Sequence, residues 1–210
     1  MRVELHCHTD QSDAIASVRD VVRVAEQRVD ALAITDHNTF RGFRIAKRLT
    51  TPLILIPGIE VSTNEGHVLC IGIDALRFTK GQSVPELVEA VHDESGIAIF
   101  AHPFRLGRRL RDPTVLTRVD AIETLNGNTP AYYNHQASRA ARRYRKPAAS
   151  GSDAHRLQDI GSFAFDTPAE TIDDIICSIL KRRIILPRQQ PTLVSLAVKK
   201  THRQLCRLFR

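Results

Sequence analysis

The segment HCHTDQSD, residues 6–13, sets two histidines one residue apart, with two aspartates close behind. Residues two apart on a strand point to one face, so His6 and His8 can converge on a single ion while Cys7 turns to the other side. Asp13, in the loop that follows, can close over the pair. Imidazole combined with carboxylate suits Zn, Mn or Fe(II). An HxH pair alone arises by chance too often to carry a site, but the same chemistry recurs along the chain. ALAITDH ends on Asp36 and His37, LILIPGIE on Glu60, GIAIFAHP on His102 and VDAIETLNG on Glu123, and PAASGSDAH brings Asp153 and His155. A set this rich in both ligand types is expected to hold more than one ion. Asp36 and Glu123 are expected to orient ligands from behind. His92 and His135 lie on polar helical stretches and read as solvated residues.

These residues need elements that end in one place. Short apolar runs alternate with amphipathic segments, the pattern of repeated strand and helix units. In SVRDVVRVAEQRV, residues Val18, Val21, Val22, Ala25 and Val29 fall at helical spacing, and Ser17 with Asp20 makes a capping start. TFRGFRIAKRL, SVPELVEAVHDESG, AYYNHQASRAARRYRK and TIDDIICSILKRR are predicted helices as well. About seven strands and five or six helices result. The candidate ligands sit where strands end, the rim on which a parallel β/α barrel builds its sites. The expected fold class is therefore α/β, with a barrel favoured over an open sheet.

With 210 residues, 42% hydrophobic and 25% charged, the composition is that of an ordinary globular chain. No apolar run reaches the length of a membrane span and the opening MRVELHCHTD lacks a signal-peptide core, so a cytoplasmic protein is expected. The net charge of +7 suggests nucleic acid until it is located. Past Pro187 stand Arg188, Lys199, Lys200, Arg203, Arg207 and Arg210 with no acid among them, which leaves the body nearly neutral. Two parts are expected, a catalytic unit over residues 1–186 and a basic, helical tail over 187–210. The tail either packs on the body or offers a surface to a polyanion such as nucleic acid.

Read in order, His6-Cys7-His8, Asp13, Thr35-Asp36-His37, Gly58-Ile59-Glu60, His67, Ala101-His102-Pro103 and Asp153-Ala154-His155 resemble the motif series of the PHP (polymerase and histidinol phosphatase) domain over about residues 1–186. The resemblance implies a distorted seven-stranded (β/α)7 barrel of TIM type, two or three divalent ions (Mn, Fe or Zn) and phosphoester hydrolysis. It implies a ligand set too. His6, His8, Glu60 and Asp153 would hold a first ion, and Glu60 would bridge to a second held by His67 and His102. Asp13, His37 and His155 would hold a third. Ala14 stands where members often carry glycine. The insertion that often follows the GIE strand in members cleaving nucleotides or RNA is missing, since VSTNEGHVLCIGI follows Glu60 at once.

The expected function is hydrolysis of a phosphomonoester, nucleotide or short oligonucleotide by a metal-bridged hydroxide, with no protein nucleophile. Glu60 is the expected catalytic bridge. Arg105, first of four arginines beyond the AHP strand, is expected to bind the substrate phosphate, with Asn126 as a further contact. Two alternatives are a metal-stabilised PHP module that binds or regulates without turnover and an amidohydrolase-type metal hydrolase. The latter usually needs a lysine at a strand end, and none of these ends offers one.

Overall fold

The computed structural model describes residues 1–79, 81–105, 110, 112–192, 195–199 and 201. Arg108, Arg109 and Arg111 of the arginine loop, and the tail beyond 201, lie outside the described residues.

Among the described residues, nine strands form two sheets. The first has the order β3 (Ile54–Ile56), β2 (Ala31–Ala33), β1 (Arg2–Glu4), β9 (Phe165–Asp166). The second has the order β4 (Gly58–Ser62), β5 (His67–Ile71), β6 (Ile97–Ala101), β7 (Ala121–Asn126), β8 (Ala148–Gly151). The mixed α/β class is as expected, whereas the single parallel (β/α)7 barrel is corrected in two respects. LILIPGIEVS divides at Pro57, which has no N–H to give a ladder, so β3 joins one sheet and β4 the other. β5 runs antiparallel to both β4 and β6. Four residues, 63–66, link β4 to β5, and so short a link makes a hairpin rather than a crossover. Isolated bridges tie the two sheets at one end, Cys7 to Ala154 and His37 to Glu60, both parallel.

The helices form where side chains cap them and apolar stripes seat them. In α1 (Val18–Ala25) the Ser17 side chain accepts from the Asp20 N–H, and Val18, Val21, Val22 and Ala25 are buried. α2 (Arg41–Ala46) buries Phe43 and Ala46. α3 (Val84–Asp93) opens with a Ser83–Glu86 capping box, and α5 (Ile172–Leu180) with one from Thr171 and Asp174. α4 (Ala131–Arg143) follows Pro130.

Three apolar clusters result. Val3, Leu5, Ala33, Ile56, Leu69, Ile99, Ala121 and Ala149 meet between the two sheets, with Ile175 and Ile179 of α5 joining them. Ile59, Val68, Phe100 and Ile122 face α3 and α4. Cys7, Leu32 and Ile34 pack against the valines of α1. Cys7 thus turns to the helices, leaving its neighbours His6 and His8 for the opposite face.

Candidate metal centre

Glu60, on β4, is the hub. Its Oε1 lies 2.7 Å from His67 Nδ1 and 3.1 Å from His102 Nε2. Its Oε2 lies 3.1 Å from His6 Nε2, 3.1 Å from His8 Nε2 and 3.3 Å from His37 Nδ1. Each oxygen thus faces a different set of imidazoles. Asp153 Oδ1 approaches His8 at 3.5 Å, His6 at 3.7 Å and His155 at 3.3 Å. Asp13 reaches His155 at 3.0 Å and, through its two oxygens, His8 and His37 at 3.8 Å. All nine residues singled out as ligands therefore converge. Their donor atoms fall into compact groups: His8, Asp13, His37 and His155; His6, His102 and Asp153; His6, His8 and Glu60; His37, Glu60 and His67. The set is buried apart from Asp13 and His37, which are partly exposed.

The backbone bends to aim two of these side chains. His102 at the end of β6 (φ 31°) and Asp153 past β8 (φ 49°) take left-handed conformations that cost a non-glycine residue about 1–3 kcal/mol. Gly151, on β8, leaves room for His6: a Cβ there would lie 2.4 Å from His6 Cβ and 2.9 Å from Glu123 Oε1.

Supporting acids fix the imidazoles. Glu123 Oε1 accepts from His6 Nδ1 at 2.8 Å, while its Oε2 accepts from the His102 N–H and from Asn126 Nδ2, each at 2.9 Å. A carboxylate can only accept, so Glu123 engages the Nδ1 proton of His6, and an ion bound between His6 Nε2 and Glu60 would replace the proton that Nε2 otherwise directs at Glu60 Oε2, 3.1 Å away. Asp36 accepts from the Thr9 N–H, the Thr9 hydroxyl and the Ser12 hydroxyl, each at 2.7 Å, and so shapes the loop that carries Asp13. Glu123 thus contacts the candidate ligands His6 and His102 directly, whereas the bonds of Asp36 go to Thr9 and Ser12, neither a candidate ligand. Arg105, partly exposed, donates from Nη1 to Asp153 Oδ2 at 2.9 Å. Asn126 is fully buried, its amide turned to Glu123 and Asp153 and its carbonyl taken by the Asn128 N–H and the Thr129 hydroxyl. That position brackets Asp153.

Two residues escaped the sequence reading. Glu4, fully buried, accepts from the His6 N–H at 3.0 Å, the Ser152 N–H at 2.9 Å, the Gly161 N–H at 3.0 Å and the Ser152 hydroxyl. It pins β1 to the segment that delivers Asp153. Its signal was available, since residues 4, 6 and 8 alternate onto one face. Lys199, from the tail, donates to the Gly127 carbonyl at 2.8 Å and lies 3.5 Å from Asp159. The described tail packs on the body here, and Gln189 and Gln190 add bonds to Ser162 and Asn134.

The electrostatics favour cations. Burial alone would raise the Glu60 and Asp153 carboxyls, but His6 with His37 and His102 around Glu60, and His6 with Arg105 around Asp153, hold both well below the usual range. Burial opposes charge on His6 and His8 as well. The acids around them win: His6, facing Glu123, Glu60 and Asp153, is held well above its ordinary value, and His8 rises to about 9 beside Asp153 and Glu60. His37 falls to about 4, chiefly by burial. Both nitrogens of His8 and Nδ1 of His37 are buried without a hydrogen-bond partner among the described residues. Buried polar atoms seldom lack partners; here they face acids at distances that suit divalent ions, so the residues fit the cofactor the motifs imply.

A family profile described as PHP-associated matches residues 131–184. A two-domain protein of Bacteroides vulgatus containing a predicted PHP-like metal-dependent phosphoesterase superposes with a TM-score of 0.73, over 89% of this chain and 64% of that one, at 17% identity. The chain is similar to PHP-domain proteins, in sequence over residues 131–184 and in fold over most of its length. Over 141 residues the chain is 29% identical to an uncharacterised protein of Methanocaldococcus jannaschii, spanning 60% of the chain and 82% of that relative. Over 112 residues it is 40% identical to the 5'-3' exoribonuclease Rnm of Salmonella typhimurium, covering 42% of the chain but 38% of that enzyme. Among the described residues, no helix is long and apolar enough to cross a membrane.

Proposed function

We propose that the chain is a metal-dependent hydrolase of phosphate esters, acting on a phosphomonoester, a nucleotide or a short oligonucleotide. The observation that carries this is Glu60, whose two oxygens face separate imidazole sets, the arrangement of a carboxylate bridging two ions. We read His6, His8, Glu60 and Asp153 as one ligand group, Glu60, His67 and His102 as the next, and Asp13, His37 and His155 as a third. Two or three ions of Mn, Fe or Zn suit this mixture of nitrogen and oxygen donors. Divalent ions supply Lewis acidity and a water made acidic enough to attack phosphorus near neutral pH.

The chain's own residues do the rest. Glu60 keeps both imidazole sets at the spacing that a shared site needs. Asp153, held ionised, adds negative charge, and Arg105 fixes its orientation while presenting a partly exposed guanidinium to a substrate phosphate. Asn126 holds Glu123 and Asp153 apart, and Glu123 fixes the His6 tautomer. The bridges Cys7–Ala154 and His37–Glu60 join the two sheets where these residues project, which supports reading them as the walls of one distorted barrel. The exoribonuclease relative supports a nucleotide or nucleic acid as substrate.

The test is turnover of p-nitrophenyl phosphate and of a 5'-phosphorylated short RNA by Mn-loaded and chelator-stripped protein, beside Glu60→Gln. Metal-dependent release of phosphate or nucleotide, lost in the folded variant, is expected. A variant retaining a tenth of the wild-type rate would overturn the bridging role, and no turnover of either substrate by the loaded wild type would overturn the function.

A further inference from the structure

A second cavity lies on the far side of β7 and β8 from the metal centre. It encloses about 410 Å³ between α4, β7, β8 and the chain that follows α5. Glu123, on β7, faces His6, whereas Ile122 packs with Ala140 and Ala141 of α4, and Thr124 opens into the cavity on that helix side. Arg142, Arg145, Lys146 and Arg182 line it, and no carboxylate is among its lining residues. In a body with almost no net charge, four cations around one hollow need a reason.

Helix ends supply only part of one. α4 and α5 both finish here, each with an arginine in the left-handed position that follows the cap, Arg145 (φ 54°) and Arg182 (φ 57°). Lys146 N donates to Ala141 O at 2.9 Å and Arg183 N to Ser178 O at 2.8 Å, the closing bonds of Schellman turns. Glycine is the usual residue at that position. Cations do stabilise helix C-termini, yet each end presents only about half a negative charge. Two ends therefore balance about one of the four cations and leave a charge of about +3. The arginines also brace one another, Arg182 donating to the Arg145 carbonyl.

The remaining lining is chemically distinct. Ala141, Ala148, Ile184 and Leu186 make an apolar floor, and the hydroxyls of Thr124 and Ser138 stand among them. A volume of this order suits a ligand of nucleotide size. We infer that this cavity binds a nucleoside diphosphate, its phosphates on Arg142, Arg145, Lys146 and Arg182 and its base on the apolar floor. At neutral pH a diphosphate carries about three negative charges, which matches the excess. The site is independent of the metal centre and of the hydrolytic reading.

Metal-loaded protein is titrated by calorimetry with adenosine 5'-(α,β-methylene)diphosphate, which resists hydrolysis. Three proteins are compared: wild type, Arg142→Ser/Lys146→Ser, and the charge-matched Arg143→Ser/Arg183→Ser, whose substitutions lie outside the cavity. The side chains of Arg142 and Lys146 make no hydrogen bond to the protein among the described residues, so the first variant is expected to fold, and its thermal melt and turnover of p-nitrophenyl phosphate check this. The expected result is one fewer binding site per chain in Arg142→Ser/Lys146→Ser than in the other two, with the same difference after the metal is stripped. Equal stoichiometry in all three, or the same loss in the charge-matched variant, overturns the inference.

Discussion

Replacing Glu123 by Gln changes one atom and should disable His6 as a ligand. Oε2 of Glu123 accepts from two groups that can only donate, the His102 N–H and the Asn126 amide. The glutamine must therefore keep its carbonyl on that side and turn its NH2 towards His6 Nδ1, now 2.8 Å from Oε1. Two donors cannot share that contact. His6 responds by moving its proton to Nε2, the nitrogen aimed at Glu60 and Asp153. Binding an ion there then requires restoring the first tautomer against a facing NH2, which forfeits a charge-assisted hydrogen bond of about 1.5–3 kcal/mol. The loss in metal affinity should be about 100-fold, or about 2.7 kcal/mol, at the upper end of what residues behind metal ligands usually contribute. Metal retained per chain after dialysis against a graded series of chelator concentrations measures it, with circular dichroism to show that the fold persists. Glu123→Gln holding its metal within threefold of wild type would refute the tautomer argument.

Two further substitutions probe the frame around the site. Gly151→Ala sets a methyl 2.4 Å from His6 Cβ in a packed interior, so overpacking should cost about 2 kcal/mol and lower Tm by about 4–8 °C, with weaker metal retention; an unchanged melting curve would show that β8 gives way freely. Lys199→Met removes a largely buried charge-assisted bond to Gly127 and should cost about 1–2 kcal/mol in the urea midpoint, with faster amide exchange confined to residues 126–129. Exchange unaltered there would detach the tail from the site.

The gathering of the candidate ligands was legible in the sequence because each motif combines a strand end with a residue type that can hold a metal. His6-Cys7-His8 shows the rule: alternation alone put the two imidazoles on one face and the thiol among the valines of α1. The start of α1 announced itself through its cap at Ser17, and the structure adds capping boxes at Ser83 and Thr171. What could not be read were the pairings across long stretches of chain. Nothing near Arg105 tells that it binds Asp153, and nothing near Asn126 tells that its amide is consumed by two acids before a substrate arrives. Sheet direction was misjudged at HVLCIGI because strand composition is blind to polarity; the shortness of 63–66 was the available sign. The basic cluster at the end of α4 could not be placed from the sequence, since only folding sets Arg182 beside Arg145.

Glu4 and Ser152, joined through buried hydrogen bonds, stand 148 residues apart in the sequence. The metal centre consequently has an order of birth. A chain emerging from a ribosome presents His6, His8 and Asp13, then Glu60 and His67, and Asp153 follows His8 only after about 145 further residues. At about 5–20 residues per second, the first histidines wait about 7–30 s for their last partner. Throughout that interval a short histidine and carboxylate claw is open to whichever ion is most abundant or binds most strongly, and among divalent ions copper and zinc bind such donors more tightly than iron or manganese. If the site holds the ions proposed, the metal it ends with depends in part on whether early ions exchange once β8 and the Glu4 clasp have closed.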